Sequence, residues 1–93
     1  MSERERGYCL CQSKSGKLSK GEERTGTINK VSFPVKCSKA EKLYGTYHTH
    51  PSGNLQPSQA DIRVMERFNI PICIGNSSGS KIRCYRLSQN LRK

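Results

Sequence analysis

Of the 93 residues in this chain, the stretch HTHPSGNLQPSQAD at positions 48–61 leaves the fewest choices for its fold. It carries both histidines, His48 and His50, and the only aspartate, Asp61. On a β-strand, residues i and i+2 point to one face, so the two imidazoles stand side by side. Pro51 cannot continue a ladder, and Gly53 and Asn54 favour a turn, so the strand is expected to end just after His50. Gln56-Pro57-Ser58 reads as a helix start that puts Asp61 in the first turn. Two imidazoles from a strand end and a carboxylate from a facing helix form a three-ligand set. Such a set suits one zinc ion per chain and leaves an open fourth position for water, as a catalytic site requires.

The rest of the chain reads as support for that stretch. Residues 58–69 (SQADIRVMERFN) form the one convincing helix: at about 100° per residue, Ala60, Val64, Met65 and Phe68 make an apolar stripe. Asp61 falls inside the stripe, where an unpartnered carboxylate would be very costly, so it needs a cation or several donors. Residues 7–12 (GYCLCQ) are β-prone and run into a turn at 13–17. Residues 18–30 are polar, with bends expected at Gly21 and Gly26. TINKVSF at 27–33 alternates as a strand closed by Pro34, and 35–42 is a connection. LYGTYHTH at 43–50 is rich in aromatic and β-branched residues and delivers the histidines; Tyr44 and Tyr47 read as sheet residues. IPICI at 70–74, GNSSGS and KIRCYRL at 81–87 read as a hairpin. The expected fold is α+β: a small mixed or antiparallel sheet packed against one main helix, in a single domain over 1–93 with frayed ends at about 1–4 and 88–93.

Lysine and arginine outnumber acids by ten. A basic surface attracts acidic partners, nucleic acid among them. The bases are scattered from Arg4 to Lys93 without a dense block, which also fits an ordinary solvated surface. No segment has the apolar length of a bilayer span, so no membrane partner is expected. MSERERGYC has no apolar core of a secretory signal, so a cytoplasmic, intracellular setting is expected. Five cysteines, Cys9, Cys11, Cys37, Cys73 and Cys84, cannot all pair within one chain, and none forms CxxC. Most lie in apolar strand-like runs and read as small buried hydrophobes. A disulfide would fit a hyperthermophilic host.

HTHPSG, then four residues, then S-x-x-D resembles the JAMM (MPN-positive, JAB-type) zinc metalloprotease motif, and LYGTY resembles the strand that leads into it. Similarity in order and spacing extends from about Glu5 to Leu87, as in a minimal prokaryotic, archaeal or viral member. The resemblance implies a cytidine-deaminase-like JAB/MPN domain and a zinc-dependent isopeptidase or peptidase, deubiquitinase-like, acting on the tail of a ubiquitin-like or sulfur-carrier-like protein. It implies His48, His50 and Asp61 as zinc ligands and Ser58 as the hydrogen-bond donor to the tetrahedral oxyanion. The family's general base is a glutamate in E-x-x-G-x-L. Here the nearest match is Glu5-Arg6-Gly7-Tyr8-Cys9-Leu10, with the glycine one residue early; Glu3, Glu22 and Glu23 are rivals.

Plainer readings exist for each element. Ser58-x-x-Asp61 also fits a helix cap, with the acid favouring the positive end. The segment resembles RadC-like proteins as well, a branch of the same superfamily, which with the charge points to a nucleic-acid-associated role; a catalytically silent scaffold is a third reading. Other HxH zinc architectures fit badly. Cupins and carbonic anhydrases use a third histidine, and an amidohydrolase barrel needs more than twice this length.

Overall fold

The computed structural model of the chain describes residues 4–28 and 30–87. The expected fraying at the two ends falls largely on residues 1–3 and 88–93, outside the described residues. Six strands and one helix follow in the order β1 (Arg6–Ser13), β2 (Leu18–Lys20), β3 (Arg24–Thr25), β4 (Glu41–Thr49), α1 (Gln59–Phe68), β5 (Ile72–Gly75) and β6 (Ile82–Tyr85). The sheet runs β2-β1-β4-β5-β6, with the short β3 also on β1. All neighbours are antiparallel except β4 and β5, which are parallel and joined through α1. This is the expected α+β architecture, a mixed sheet with one helix. Among the described residues no helix is long and apolar enough to cross a membrane.

Alternation decides which face of the sheet is covered. In β1, Gly7, Cys9 and Cys11 are buried in period two; in β4, Thr46 and His48 share that face, with Gly7 opposite His48 and Cys9 opposite Thr46. One extra residue in β4, at Tyr44, shifts the register between Leu10 and Cys11, a β-bulge ahead of the histidine end. The helix lies over the β5 side, where Met65, Ile72 and Ile74 form the small core with Val64 and Leu55 against it. The expected apolar stripe is therefore right at Val64 and Met65 and fails at its ends: Ala60 is exposed and Phe68 is 37% exposed, because the short sheet does not extend beneath them.

Residues 27–33 are not the expected strand. Both edges of β1 are already taken, by β4 on one side and by β2 and β3 on the other, so no ladder on β1 is left for them. The chain turns back instead, Thr27 N–H bonding to Lys30 O at 2.7 Å, and crosses the covered face. There the Phe33 ring lies on Gly7, where a Cβ would come within 2.4 Å of it. The segment ends pinned to β1 by a Cys11–Cys37 disulfide. A second disulfide, Cys73–Cys84, joins directly paired positions of β5 and β6. Only Cys9 is the free, fully buried hydrophobe that the sequence suggests for most of the cysteines. The others lie at cross-strand or cross-segment positions that alternation within one strand does not reveal.

Candidate functional site

His48 comes from the last turn-facing positions of β4, and His50 stands just beyond the strand, its N–H bonding to Gly75 O at 2.8 Å. Their Nε2 atoms face each other at 3.0 Å. His50 Nδ1 lies 2.7 Å from Asn54 O. A carbonyl can only accept, so Nδ1 carries the proton and Nε2 presents a lone pair. The loop that supplies this carbonyl is held from below by Tyr85, whose hydroxyl donates to Leu55 O at 2.7 Å.

Asp61 approaches from the helix. Its Oδ1 is 3.2 Å from His48 Nε2 and its Oδ2 is 3.7 Å from His50 Nε2. The same carboxylate closes a capping box: Ser58 N–H donates to Asp61 Oδ2 at 2.8 Å, and Asp61 N–H donates to Ser58 Oγ at 3.2 Å. The capping reading is thus correct, and the cap is also what aims Asp61 at the imidazoles. Burial works to raise the Asp61 carboxyl, but hydrogen bonds from His48 and from the Ser58 amide outweigh it and hold the group below the ordinary aspartate range. The Ser58 hydroxyl, which lines the cleft, accepts from Asp61 N–H and also hydrogen-bonds the Asp61 carboxylate, helping to hold it low.

Glu5 reaches the site from the position just before β1. It is 7% exposed, and its carboxylate and the two imidazoles present ligand atoms all within 4.8 Å of one another. Two backbone bonds set its position, Glu5 N–H to Thr27 O at 2.7 Å and Gly26 N–H to Glu5 O at 2.8 Å. Burial raises its carboxyl above the ordinary range; the nearby imidazoles oppose this and Asp61 adds to it. Glu22 and Glu23 do not approach the cleft. They are spent on surface pairs, Glu22 with Arg24 and Glu23 with Arg6 and Lys20. Glu3 lies outside the described residues.

The four groups open into a cleft of about 660 Å³ between residues 28–35 and the 50–61 loop with the start of α1. Two imidazole nitrogens and a carboxylate oxygen are a donor set that suits zinc. His48 Nε2 lies 3.0 Å from His50 Nε2 and 3.2 Å from Asp61 Oδ1, so a divalent cation between them would be met by all three atoms, with His48 in its Nδ1–H tautomer. Sequence reasoning missed Asn54 as the partner of His50 and Phe33 as part of the wall. Asn54 reads only as a turn former, and its useful group is its backbone carbonyl, which any residue carries. Phe33 is hidden because its segment alternates like a strand.

The family model for a RadC-like JAB domain matches residues 1–71. The fold is similar to the crystal structure of a JAB1/MPN domain protein from Archaeoglobus fulgidus, with a TM-score of 0.55 and 27% sequence identity, over 88% of this chain and 69% of that one. No curated protein matches the chain.

Proposed function

Because this chain belongs to the family of RadC-like JAB domains, we propose that it is a zinc-dependent isopeptidase or peptidase that hydrolyses an amide bond at the tail of a ubiquitin-like or sulfur-carrier-like protein. The observation that carries the reading is the convergence of His48, His50 and Asp61 beside a buried Glu5 in one cleft. In it, His48 Nε2, His50 Nε2 and Asp61 would hold one zinc ion. Zinc in such a site supplies Lewis acidity, lowering the pKa of water to about 7 from about 15.7.

The chain's own residues do the remainder. Glu5, kept more basic than an ordinary glutamate by burial, takes a proton from water and returns it to the leaving amine. Ser58, turning its hydroxyl hydrogen from Asp61, donates it to the oxygen on which charge develops, where a fixed donor matters most in the transition state. The His50 Nδ1–H bond to Asn54 O keeps the Nε2 lone pair aimed inward. An extended tail fits between residues 28–35 and the 50–61 loop, with the scissile carbonyl near Ser58.

A second reading, a nucleic-acid-associated role, is favoured by the net charge of +10 and by the RadC-like family model. The zinc-loaded chain offered a ubiquitin-like fusion and a sulfur-carrier fusion distinguishes the two. Cleavage at the end of the tail, abolished by a chelator and restored by zinc, supports the peptidase. No cleavage, together with DNA binding that weakens steeply with salt, supports the second reading and rejects the first.

A further inference from the structure

Away from the cleft, three of the five cysteines meet. Cys9 and Cys11 project from the covered face of β1, and Cys37 reaches them from the end of the segment that crosses that face. The three Sγ atoms lie within 4.8 Å of one another. Cys9 is 0% exposed, Cys11 is 3% exposed and Cys37 is half-buried. None of the three cysteines lines the cleft, although Cys9 is only two residues along β1 from Gly7, the partner of His48, so the cluster is a neighbour of the histidine site and not part of it.

The Cys9 thiol is more than filler in this group. Its sulfur is 3.8 Å from that of Cys11 and 3.2 Å from Lys36 O, to which it donates. Gly21 leaves the room it occupies, for a Cβ there would stand 2.6 Å from the Cys9 sulfur. The spacing is informative. With metal–sulfur bonds of about 2.3 Å, tetrahedral coordination puts neighbouring sulfurs about 3.8 Å apart. Cys9 and Cys11 stand at that separation already, and Cys37, half-buried and outside any strand, is the one whose sulfur would move out from the disulfide on reduction.

We propose that, once the Cys11–Cys37 bond is reduced, Cys9, Cys11 and Cys37 form a second metal site, a three-thiolate cradle for one soft, thiophilic cation of the zinc or copper(I) class. An external dithiol supplies the two electrons and two protons, becoming a disulfide as Cys11 and Cys37 become thiols. Cation uptake then releases one proton from each of the three thiols as the three metal–sulfur bonds form. The disulfide and the metal exclude each other, so the site opens only in a reducing setting. Loading it would tie the end of the 26–37 segment to β1 through the metal instead of through the S–S bond.

Cadmium(II) is the probe, added to the full chain in its reduced and its oxidised forms. The reduced chain is expected to develop thiolate-to-cadmium charge-transfer absorption that saturates at three thiolates per ion, with proton release. The oxidised chain is expected to show no such absorption, because cadmium can then reach only the histidine site, which has no thiolate. Cys37→Ser, which alters a half-buried position on an irregular segment, is expected to weaken cadmium binding by at least about 100-fold, more than loss of an outer-shell partner generally costs. Circular dichroism and the melting curve of that variant report whether it still folds. Slowed maleimide labelling of Cys37 in the cadmium-loaded parent reads the same site without any substitution. Equal absorption in the oxidised chain overturns the proposal, as does an absorption lost in Cys73→Ser/Cys84→Ser but kept in Cys37→Ser, or unslowed labelling of Cys37.

Discussion

The two walls of the cleft are built by different means. One is a continuous run, β4 to α1, in which strand alternation, a proline-closed end and a capping box place His48, His50, Ser58 and Asp61. Each of those placements depends on residues near in sequence. The other wall, residue 28 and residues 30–35, has no ladder of its own. It is held by Phe33 on Gly7, by the backbone bonds around Glu5 and, farther on, by the Cys11–Cys37 link. Glu5 belongs with that second group, since its neighbours come from Gly26 and Thr27. Local rules thus supply the candidate ligands, and long-range packing supplies the candidate base. Metal binding and turnover should therefore fail separately.

The sharpest test of that separation is Glu5→Gln. Turnover is expected to fall by about 10²–10⁴ while zinc content stays that of the parent, measured by steady-state cleavage beside metal analysis. Unchanged cleavage would mean that another group is the base. Ser58→Ala crosses the boundary from the other side. We expect a loss of about 10²–10³ in kcat from the missing donor, and about 1 kcal/mol of stability from the broken cap. A lower melting temperature with unchanged kcat would leave Ser58 a cap alone.

Gly7→Ala probes the second wall, although the new methyl would also come 3.0 Å from the His48 Cβ. The new methyl collides with the Phe33 ring, and overpacking of this kind costs about 1–3 kcal/mol. Phe33→Leu in the same chain should recover part of that loss, read by thermal unfolding. No loss in Gly7→Ala would mean that the wall does not rest on this contact.

The smallest effect is one of pH, in the metal-free chain. Glu5 is raised in the folded state, so its favourable contribution is complete below its unfolded pKa and is lost as pH rises through the folded value. Glu5→Gln lacks that loss. It should therefore melt above the parent at neutral pH and converge with it below the ordinary carboxylate range. Asp61 has the opposite sign: being lowered, it stabilises above its unfolded pKa and loses this as pH falls through the folded value. Melting temperatures of parent and Glu5→Gln across the acid range check the sign.

The same contrast explains what could be read from the sequence. Elements set by local chemistry were legible: the histidine strand, the turn at Pro51, the helix over Gln59–Phe68 and the β5–β6 hairpin follow from period, propensity and punctuation. Residues 27–33 have the alternation of a strand, but both edges of the neighbouring β1 are taken, and competition for an edge is a property of the whole sheet. Cys11 and Cys37 are 26 positions apart, and their meeting depends on the path of that misread segment. The role of Asn54 was invisible because a backbone carbonyl has no letter in the sequence.

The central claim is that His48, His50 and Asp61 converge to hold one zinc ion. Metal analysis of the purified chain after zinc loading tests it most directly, beside His50→Ala, with both proteins kept oxidised so that the Cys11–Cys37 bond closes the thiolate cradle. The account predicts about one zinc per parent chain and none in the variant. A parent that takes up no zinc, or a variant that holds as much as the parent, would contradict it.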